Sequence, residues 1–358
     1  NFVRQSNQNQ KEIKRSLYRI TTTLPRIEDE FLKYQDAQIP YQQENLEQSK
    51  CVSADTAYIK SAMRRYESML KQTNQLVTEV KQTFPQMLSK TMPRQSIEHL
   101  DYHLTEHCNL NCKCCSTFSP LAKEKFADPD QFARDLTRLH ELIGDRLEQL
   151  HLLGSEPLLH PQIEQFARLS REIFPEARID FTTNGLLIHS MSESFWDTLR
   201  RYNVAIKYTK YSINLDYDEI VDYVRSKGVR IFSAGGEKPI SQFRRIPLNA
   251  KGTYNTYLSY IQCPYTDCAQ LRDGKLYRCP ASAYSDLVNS ALQAEGKTDR
   301  FNLTAQDAID LWQVHDADEV LSFLANAVPF CQYCDMANAT TIPWCQSKKT
   351  VSEWVDQK

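Results

Sequence analysis

Short apolar runs alternate with amphipathic stretches from about residue 100 to about residue 240. A short apolar run bounded by turn residues predicts a strand, and apolar residues that recur every three or four positions predict a helix. The predicted strands are 100–105, 149–154, 179–183, 204–211 and 229–233. The predicted helices between them are 129–142, 162–173, 193–202 and 217–226. This order predicts an α/β fold of repeated βα units, either a partial barrel or an open doubly wound sheet.

The segment before these units has a different pattern. Residues 1–98 contain no glycine and are rich in Gln, Glu, Lys and Arg, which favours solvated helices. The clearest helical stretch runs from Ala54 to Gln82, where apolar residues recur at three- and four-residue steps. We therefore expect three parts: a helical N-terminal region at 1–98, a βα unit at 99–240 and a cysteine-bearing C-terminal module at 241–358.

Charge and hydropathy narrow the choice of partners. Lys and Arg total 43 against 45 Asp and Glu, so the net charge of -2 offers no general attraction for nucleic acid or an anionic membrane. No apolar run reaches the roughly 20 residues that a membrane span needs. The first residues, Asn-Phe-Val-Arg, do not resemble a signal peptide. We expect a cytoplasmic protein with a small-molecule partner and no nucleic acid or membrane partner.

The number and grouping of the cysteines are the clearest indication of a functional site. The chain has 11 cysteines, and all but Cys51 fall in the three groups 108–115, 263–279 and 331–345. An odd number in tight groups suits metal binding better than a disulfide framework.

The first group follows the first predicted strand as Cys108-x3-Cys112-x2-Cys115. Three thiolates can ligate three irons of a four-iron cluster and leave the fourth iron open to the amino and carboxylate groups of S-adenosylmethionine. A structural zinc site with Cys114 as its fourth ligand is the alternative.

This spacing resembles the defining motif of the radical S-adenosylmethionine superfamily. Two later segments strengthen the resemblance, which covers about residues 99–240. Residues 153–157, Leu-Gly-Ser-Glu-Pro, are similar to the family's Gly-Gly-Glu-Pro motif, and residues 182–185, Thr-Thr-Asn-Gly, resemble its next conserved segment. The resemblance implies a partial (β/α)6 barrel and a [4Fe-4S] cluster on Cys108, Cys112 and Cys115.

The resemblance also implies which residues bind S-adenosylmethionine. Glu156 would hold its amino group, and polar side chains of the next segments would face its ribose and carboxylate. The implied cofactor-binding residues are Gly154, Ser155, Glu156, Thr182, Asn184 and Ser212. The family usually has an aromatic residue before the third cysteine, where this chain has Cys114, and Phe118 could cover the adenine instead.

A second metal site is predicted in the C-terminal module. Asp273-Gly274 is a strong two-residue hairpin signal, and counting outward from it places Cys268 opposite Cys279. Cys331-x2-Cys334 supplies two further thiols. The layout resembles the auxiliary-cluster modules of the superfamily, called SPASM or twitch, and implies one auxiliary [4Fe-4S] cluster.

The expected ligands of that second cluster are Cys268, Cys279, Cys331 and Cys334. Cys263 is the alternate ligand to Cys268, because its distance from Gly274 fits the family spacing better. Zinc bound by four thiolates is the alternative.

The resemblance implies an enzyme, a radical oxidoreductase. It would cleave S-adenosylmethionine to a 5′-deoxyadenosyl radical, abstract hydrogen from a carbohydrate-type substrate and oxidise it. A flavodoxin- or ferredoxin-type carrier would donate electrons. The alternatives are epimerisation of a sugar, with Cys114 or Cys345 as hydrogen donor, and modification of a ribosomally made peptide. No catalytic acid or base is identified.

Overall fold

The structure is a computed structural model, and it describes residues 29, 30, 32, 33, 60–75, 77, 78, 90, 92, 94–236 and 238–356. The chain divides into two compact units, Asn1–Lys81 and Gln82–Lys358. In the first unit, residues 60–75 are helical, within the stretch where the sequence predicts a helix. The rest of that predicted helix lies mostly outside the described residues.

Ten strands form two sheets among the described residues of the second unit. The strands are β1 (Ile97–Thr105), β2 (Leu147–Gly154), β3 (Arg178–Thr183), β4 (Ala205–Tyr208), β5 (Ile231–Ser233), β6 (Gln242–Arg245), β7 (Ala269–Arg272), β8 (Lys275–Tyr277), β9 (Ala308–Asp310) and β10 (Thr340–Pro343). The larger sheet has the order β5-β4-β3-β2-β1-β7-β8-β9, and β6 pairs with β10 in a separate antiparallel ribbon.

Helices connect the parallel strands and continue into the C-terminal module. They are α1 (Pro129–Ile143), α2 (Ile163–Ile173), α3 (Glu193–Arg201), α4 (Tyr217–Ser226), α5 (Thr256–Gln262), α6 (Pro280–Ala283), α7 (Ser285–Ala294) and α8 (Ala317–Leu324). The start of α1 shows why these elements form where the sequence predicts them. The Asp128 side chain accepts hydrogen bonds from the backbone N–H groups of Asp130 and Gln131, and Pro129 occupies the first turn.

The α/β class is confirmed, and each strand and helix predicted between residues 100 and 233 overlaps one of β1–β5 or α1–α4. Strands β1–β5 are parallel, and β7 is a sixth strand parallel to them. It pairs with β1 and not with β5, in the register Leu100↔Ala269. The sheet therefore gains its sixth parallel strand on the side of β1.

The two faces of the parallel strands differ in polarity. Successive side chains of a strand point to opposite faces. Leu100, Leu150 and Ile179 belong to the main apolar core, which also includes side chains of α1 and α2 such as Phe132 and Phe166. The alternate positions carry polar residues, among them His99, Asp101, His151 and Asp180. Strands of a parallel sheet are usually apolar on both faces, so this polar face marks a site.

The predicted hairpin is confirmed between β7 and β8. Asp273 and Gly274 both have positive φ, 52° and 73°, and Arg272 pairs with Lys275. The buried Asp135 of α1 accepts a hydrogen bond from the backbone N–H of Gly274 at 2.9 Å, which holds the turn against α1. The ladder ends at Gln270↔Tyr277, and α6 begins at Pro280, so Cys268 and Cys279 do not continue it.

A second apolar core lies under the C-terminal module. Its aromatic side chains are Phe118, Tyr284, Phe301, Phe330, Tyr333 and Trp354. In the parts of the chain that the structure describes, no helix combines the length and apolar character of a membrane span.

Candidate functional site

The loop after β1 brings its three cysteines together. Cys108, Cys112 and Cys115 line one cavity of about 240 Å³, which we call the first cavity. The ends of β2, β3 and β4 supply much of the remaining wall, as expected for a βα unit, whose sites lie at the carboxyl ends of the strands.

Each of the three sulfur atoms has a hydrogen-bond donor nearby. The backbone N–H of Leu110 donates to Cys108 Sγ at 3.3 Å, and Trp344 Nε1 donates to Cys112 Sγ at 3.2 Å. Ser119 Oγ donates to Cys115 Sγ at 3.5 Å. Hydrogen bonds to sulfur stabilise negative charge on it and tune iron-sulfur clusters. The donor set therefore fits a thiolate-bound cluster.

Burial favours the neutral thiol form of two of these cysteines. It raises the pKa of Cys108 to about 11 and that of Cys112 to about 12. Metal coordination deprotonates such thiols, so binding would release protons.

Four of the predicted cofactor-binding residues line the first cavity. They are Gly154, Ser155, Thr182 and Asn184. Asn184 Nδ2 donates to Asn109 Oδ1 at 2.7 Å, which ties the end of β3 to the cysteine loop.

Ser212 and Glu156 do not line the first cavity. Ser212 is exposed and donates to the carbonyl of Ile240 at 3.1 Å, because β4 ends at Tyr208 and the chain has already left the sheet. Thr209 and Tyr211, which the sequence reasoning missed, line the cavity from this segment.

Glu156 lies behind the cavity wall and is fully buried, at 0% exposure. One carboxylate oxygen accepts from Thr183 Oγ1 at 2.7 Å and from the Leu158 N–H at 3.1 Å. The other accepts from the Asn184 N–H at 3.0 Å. Burial raises the pKa of Glu156 to about 7. In this arrangement Glu156 positions the 183–184 segment, and its direct contact with S-adenosylmethionine stays a prediction.

Gly154 is required where β2 approaches β1. Its φ is +130°, and a Cβ there would lie 2.6 Å from the backbone oxygen and 2.8 Å from the backbone nitrogen of Thr105.

We expect Gly154→Ala to lower the free energy of unfolding by about 2 kcal/mol more than Gly144→Ala does, because only Gly154→Ala adds a steric clash. Gly144 also has positive φ, +59°, but no atom lies within 4 Å of the point that its Cβ would occupy. Urea denaturation of both variants tests this, and equal losses would contradict it.

Cys114 is separated from the other cysteines of its loop. Its Sγ donates to the backbone oxygen of Glu353 at 3.1 Å, and it does not line the first cavity. Within the described residues, no three His, Cys, Asp or Glu side chains are grouped so as to hold one metal ion. A zinc site needs thiolates about 2.3 Å from a single ion. The geometry therefore does not support a zinc site completed by Cys114.

Four other cysteines line a second cavity. They are Cys263, Cys279, Cys331 and Cys334. Three of these are expected ligands, and the fourth is Cys263, the alternate. Cys268, the expected fourth ligand, lines the first cavity instead. The difference arises because the cross-strand pairing that would place Cys268 opposite Cys279 does not extend beyond Gln270.

A buried arginine lines the second cavity. Arg278 is 2% exposed and lies over the ring of Tyr260, and its Nη1 donates to the carbonyl of Thr266 at 2.7 Å. Its Nε and Nη2 atoms have no hydrogen-bond partner among the described residues. A buried guanidinium needs negative charge nearby. A metal group held by four thiolates is anionic, so the charge of Arg278 suits a thiolate-bound metal group in this cavity.

The chain resembles known proteins over its central part. Residues 102–227 match the family model for the Radical SAM superfamily. A GTP 3′,8-cyclase from Sulfurimonas denitrificans is 25% identical over 111 residues, which are 31% of this chain and 35% of that protein. A probable GTP 3′,8-cyclase from Pyrococcus abyssi is 25% identical over 142 residues, 38% of this chain and 45% of that protein. The chain thus spans less than half the length of these curated relatives.

Solved structures that resemble the chain align with it at low sequence identity. The structure of BtrN in complex with AdoMet and 2-DOIA aligns with a TM-score of 0.41 and 16% identity, over 68% of this chain and 94% of BtrN. That of Streptococcus suis SuiB bound to S-adenosylmethionine aligns with a TM-score of 0.31 and 14% identity, over 56% of this chain and 44% of SuiB.

Proposed function

We propose that this chain, whose residues 102–227 match the Radical SAM superfamily model, is a radical S-adenosylmethionine enzyme that cleaves S-adenosylmethionine reductively and abstracts hydrogen from a carbohydrate-type substrate. The observation that carries the proposal is the first cavity, where Cys108, Cys112 and Cys115 meet the ends of β2 and β3. When bound, a [4Fe-4S] cluster and S-adenosylmethionine supply a 5′-deoxyadenosyl radical there.

The chain's own residues hold and orient the cofactor in this proposal. Thr182 and Asn184 line the cavity with polar side chains, and Gly154 lets β2 approach the backbone of β1 closely at its edge. Glu156 fixes the backbone of Asn184 from behind. Positioning of this kind is how a protein contributes to chemistry that a cofactor performs.

The polar face of the parallel strands supports a hydroxylated substrate. Asp101 Oδ2 accepts from Gln270 Nε2 at 2.6 Å, and His151 Nδ1 lies 2.8 Å from Asp180 Oδ2. Lys207 Nζ is 3.4 Å from His151 Nε2. Of these residues Asp101 lines the first cavity, and a polar side chain there suits a substrate that hydrogen-bonds through hydroxyl groups.

Two outcomes can follow hydrogen abstraction. Oxidation, which the sequence predicts, requires a base and a one-electron acceptor, and the four thiols of the second cavity would hold an auxiliary cluster suited to accept the electron. Epimerisation requires a hydrogen donor that faces the substrate. Cys268 supplies such a thiol in the first cavity, which makes epimerisation the second candidate. An electron carrier of the flavodoxin or ferredoxin class is proposed for either outcome.

Formation of 5′-deoxyadenosine tests the proposal. Anaerobically reconstituted protein, incubated with S-adenosylmethionine and dithionite, should release it. Replacing Cys108, Cys112 and Cys115 together by alanine should abolish release and lower bound iron from about eight to about four atoms per chain. Cys345→Ala is the control, because its thiol is exposed and lines neither cavity. Unchanged release from the triple variant would contradict the assignment of the first cavity.

A further inference from the structure

A C-terminal segment, residues 344–354, lies against the loop 108–115 that carries the three cysteines of the first cavity. The backbones of the two stretches are joined by hydrogen bonds. One of these runs from the N–H of Lys113 to the oxygen of Cys345, at 2.9 Å. Parts of the chain that are far apart in sequence therefore meet at the first metal site.

Two tryptophans of this segment donate hydrogen bonds to the loop, but to different kinds of acceptor. Trp344 Nε1 donates to Cys112 Sγ at 3.2 Å, whereas Trp354 Nε1 donates to the backbone oxygen of Cys115 at 2.9 Å. An indole N–H group is a donor only, so the direction of both bonds is fixed. Of the two, only the bond of Trp344 ends on the sulfur atom of a proposed iron ligand.

The donor to Cys112 differs in origin from the donors to the other two sulfur atoms. Leu110 and Ser119, which donate to Cys108 and Cys115, lie two and four positions from those cysteines. Trp344 is 232 positions from Cys112. The cysteine motif alone therefore does not supply this bond.

The indole of Trp344 is held behind the wall of the first cavity. Its backbone N–H, directly after β10, donates to the oxygen of Ser241 at 2.9 Å. The centre of its ring lies 6.1 Å from that of Tyr211, which in turn lies 6.2 Å from that of Phe243. Tyr211 and Phe243 line the first cavity, and Trp344 does not. Trp344 can therefore act on a bound cluster through the Cys112 sulfur without lining the space that substrate would occupy.

A hydrogen bond to a ligand sulfur stabilises the reduced form of an iron-sulfur cluster more than its oxidised form. Reduction adds negative charge that the sulfur atoms partly carry, so a donor aimed at sulfur is bound more strongly after reduction. Such bonds are among the features that set cluster potentials. An N–H group fixed on Cys112 Sγ therefore makes the cluster easier to reduce.

We propose that Trp344 is a positioning residue that raises the reduction potential of the first cluster through its hydrogen bond to Cys112. The inference rests on the proposed function, because it needs a cluster on the three cysteines of the first cavity. In it, one electron passes from a flavodoxin- or ferredoxin-type carrier, which is oxidised, to the cluster, which is reduced. A higher cluster potential favours that transfer, which precedes the cleavage of S-adenosylmethionine.

Trp344→Phe tests the inference, because phenylalanine keeps an aromatic ring beside Tyr211 and removes the N–H group. A redox titration of reconstituted protein, followed by electron paramagnetic resonance, measures the midpoint potential without any substrate. The signal of the first cluster is the one that is absent when Cys108, Cys112 and Cys115 are all replaced by alanine. In Trp344→Phe its potential should fall by about 59 mV, which is a tenfold smaller equilibrium constant for one-electron reduction.

Trp354→Phe is the matched control. It removes the same group from the same segment, but that group donates to a backbone oxygen and not to sulfur. The first-cluster potential of this variant should stay as it is in wild type. The second cluster is an internal control in Trp344→Phe, because Trp344 does not line the second cavity, and its potential should not change.

The outcomes separate the inference from the proposed function. An unchanged first-cluster potential in Trp344→Phe overturns the inference. So does an equal fall in Trp344→Phe and Trp354→Phe, which would assign the effect to the packing of the segment. Loss of the first cluster's iron from Trp344→Phe also overturns it, since Trp344 would then be needed to form the site. Absence of the first-cluster signal from wild type would instead refute the proposed function, and the inference with it.

Discussion

Cys263→Ser should remove about four of the roughly eight iron atoms bound by anaerobically reconstituted protein, whereas Cys268→Ser should remove none. Of these two cysteines, Cys263 alone shares the second cavity with Cys279, Cys331 and Cys334. Its position there is fixed by α5, which ends at Gln262, and by Lys90, whose Nζ donates to the backbone oxygens of Ile261 at 2.8 Å and Cys263 at 2.6 Å.

The chemistry of the cavity makes the loss of one ligand severe. A serine hydroxyl is a poor iron ligand, and three remaining thiolates would leave one iron open in this cavity. The cavity also contains Arg278, two of whose guanidinium nitrogens lack a hydrogen-bond partner among the described residues. The loss of a thiolate removes charge that compensates this buried cation.

Iron analysis together with electron paramagnetic resonance of the reduced protein measures the effect. The signal of the first cluster should survive in Cys263→Ser, because Cys108, Cys112 and Cys115 lie in the other cavity. The pair of serine variants is matched, since the two cysteines are five positions apart and both are partly buried. Loss of iron from Cys268→Ser with retention in Cys263→Ser would reverse the assignment.

Features encoded by neighbouring residues were predictable from the sequence. Strands β1–β5 and helices α1–α4 follow from local periodicity, and the β7–β8 turn follows from Asp273-Gly274. The three cysteines of the first cavity lie on one short loop, so their proximity needed no knowledge of the rest of the fold.

Features that depend on distant pairing were not predictable. The pairing of β7 with β1 joins residues that are far apart in sequence, and periodicity carries no information about it. The choice between Cys263 and Cys268 depended on where the hairpin ladder stops, which is at Gln270↔Tyr277. The expected role of Ser212 failed to match the cavity because β4 ends at Tyr208, and the alternation of inward and outward side chains is undefined beyond it.

The contacts of Glu156 were likewise not predictable, although it lies within a recognisable motif. The resemblance identifies the carboxylate, but the sequence does not show which groups donate to it. The structure gives it three donors, from Leu158, Thr183 and Asn184, and no exposure to solvent. These contacts have a measurable consequence for stability.

We expect the contribution of Glu156 to the stability of the iron-free protein to fall as pH rises through the range from about 4.5 to about 7, so that wild type loses more stability over this range than Glu156→Gln does. Burial raises the pKa of Glu156 from 4.5 to about 7, so in this range the folded protein holds a proton that the unfolded chain has released. Protonation therefore stabilises the folded state at low pH, and this contribution, on the order of 3 kcal/mol, is lost as pH rises.

Urea denaturation at pH 5 and pH 7.5 measures the effect. Glu156→Gln keeps an acceptor for Thr183 but loses the bond to the Asn184 N–H, so it should be less stable than wild type at pH 5 by about 1 to 3 kcal/mol. That deficit should shrink at pH 7.5, because the amide does not titrate and wild type must bury a charge.

Glu98→Gln is the control, because it removes a carboxylate from an exposed position on β1. It should leave the difference in the free energy of unfolding between pH 5 and pH 7.5 as it is in wild type. Parallel pH dependence of wild type and Glu156→Gln would show that the buried carboxyl group stays ionised throughout, held by its three donors against the cost of burial.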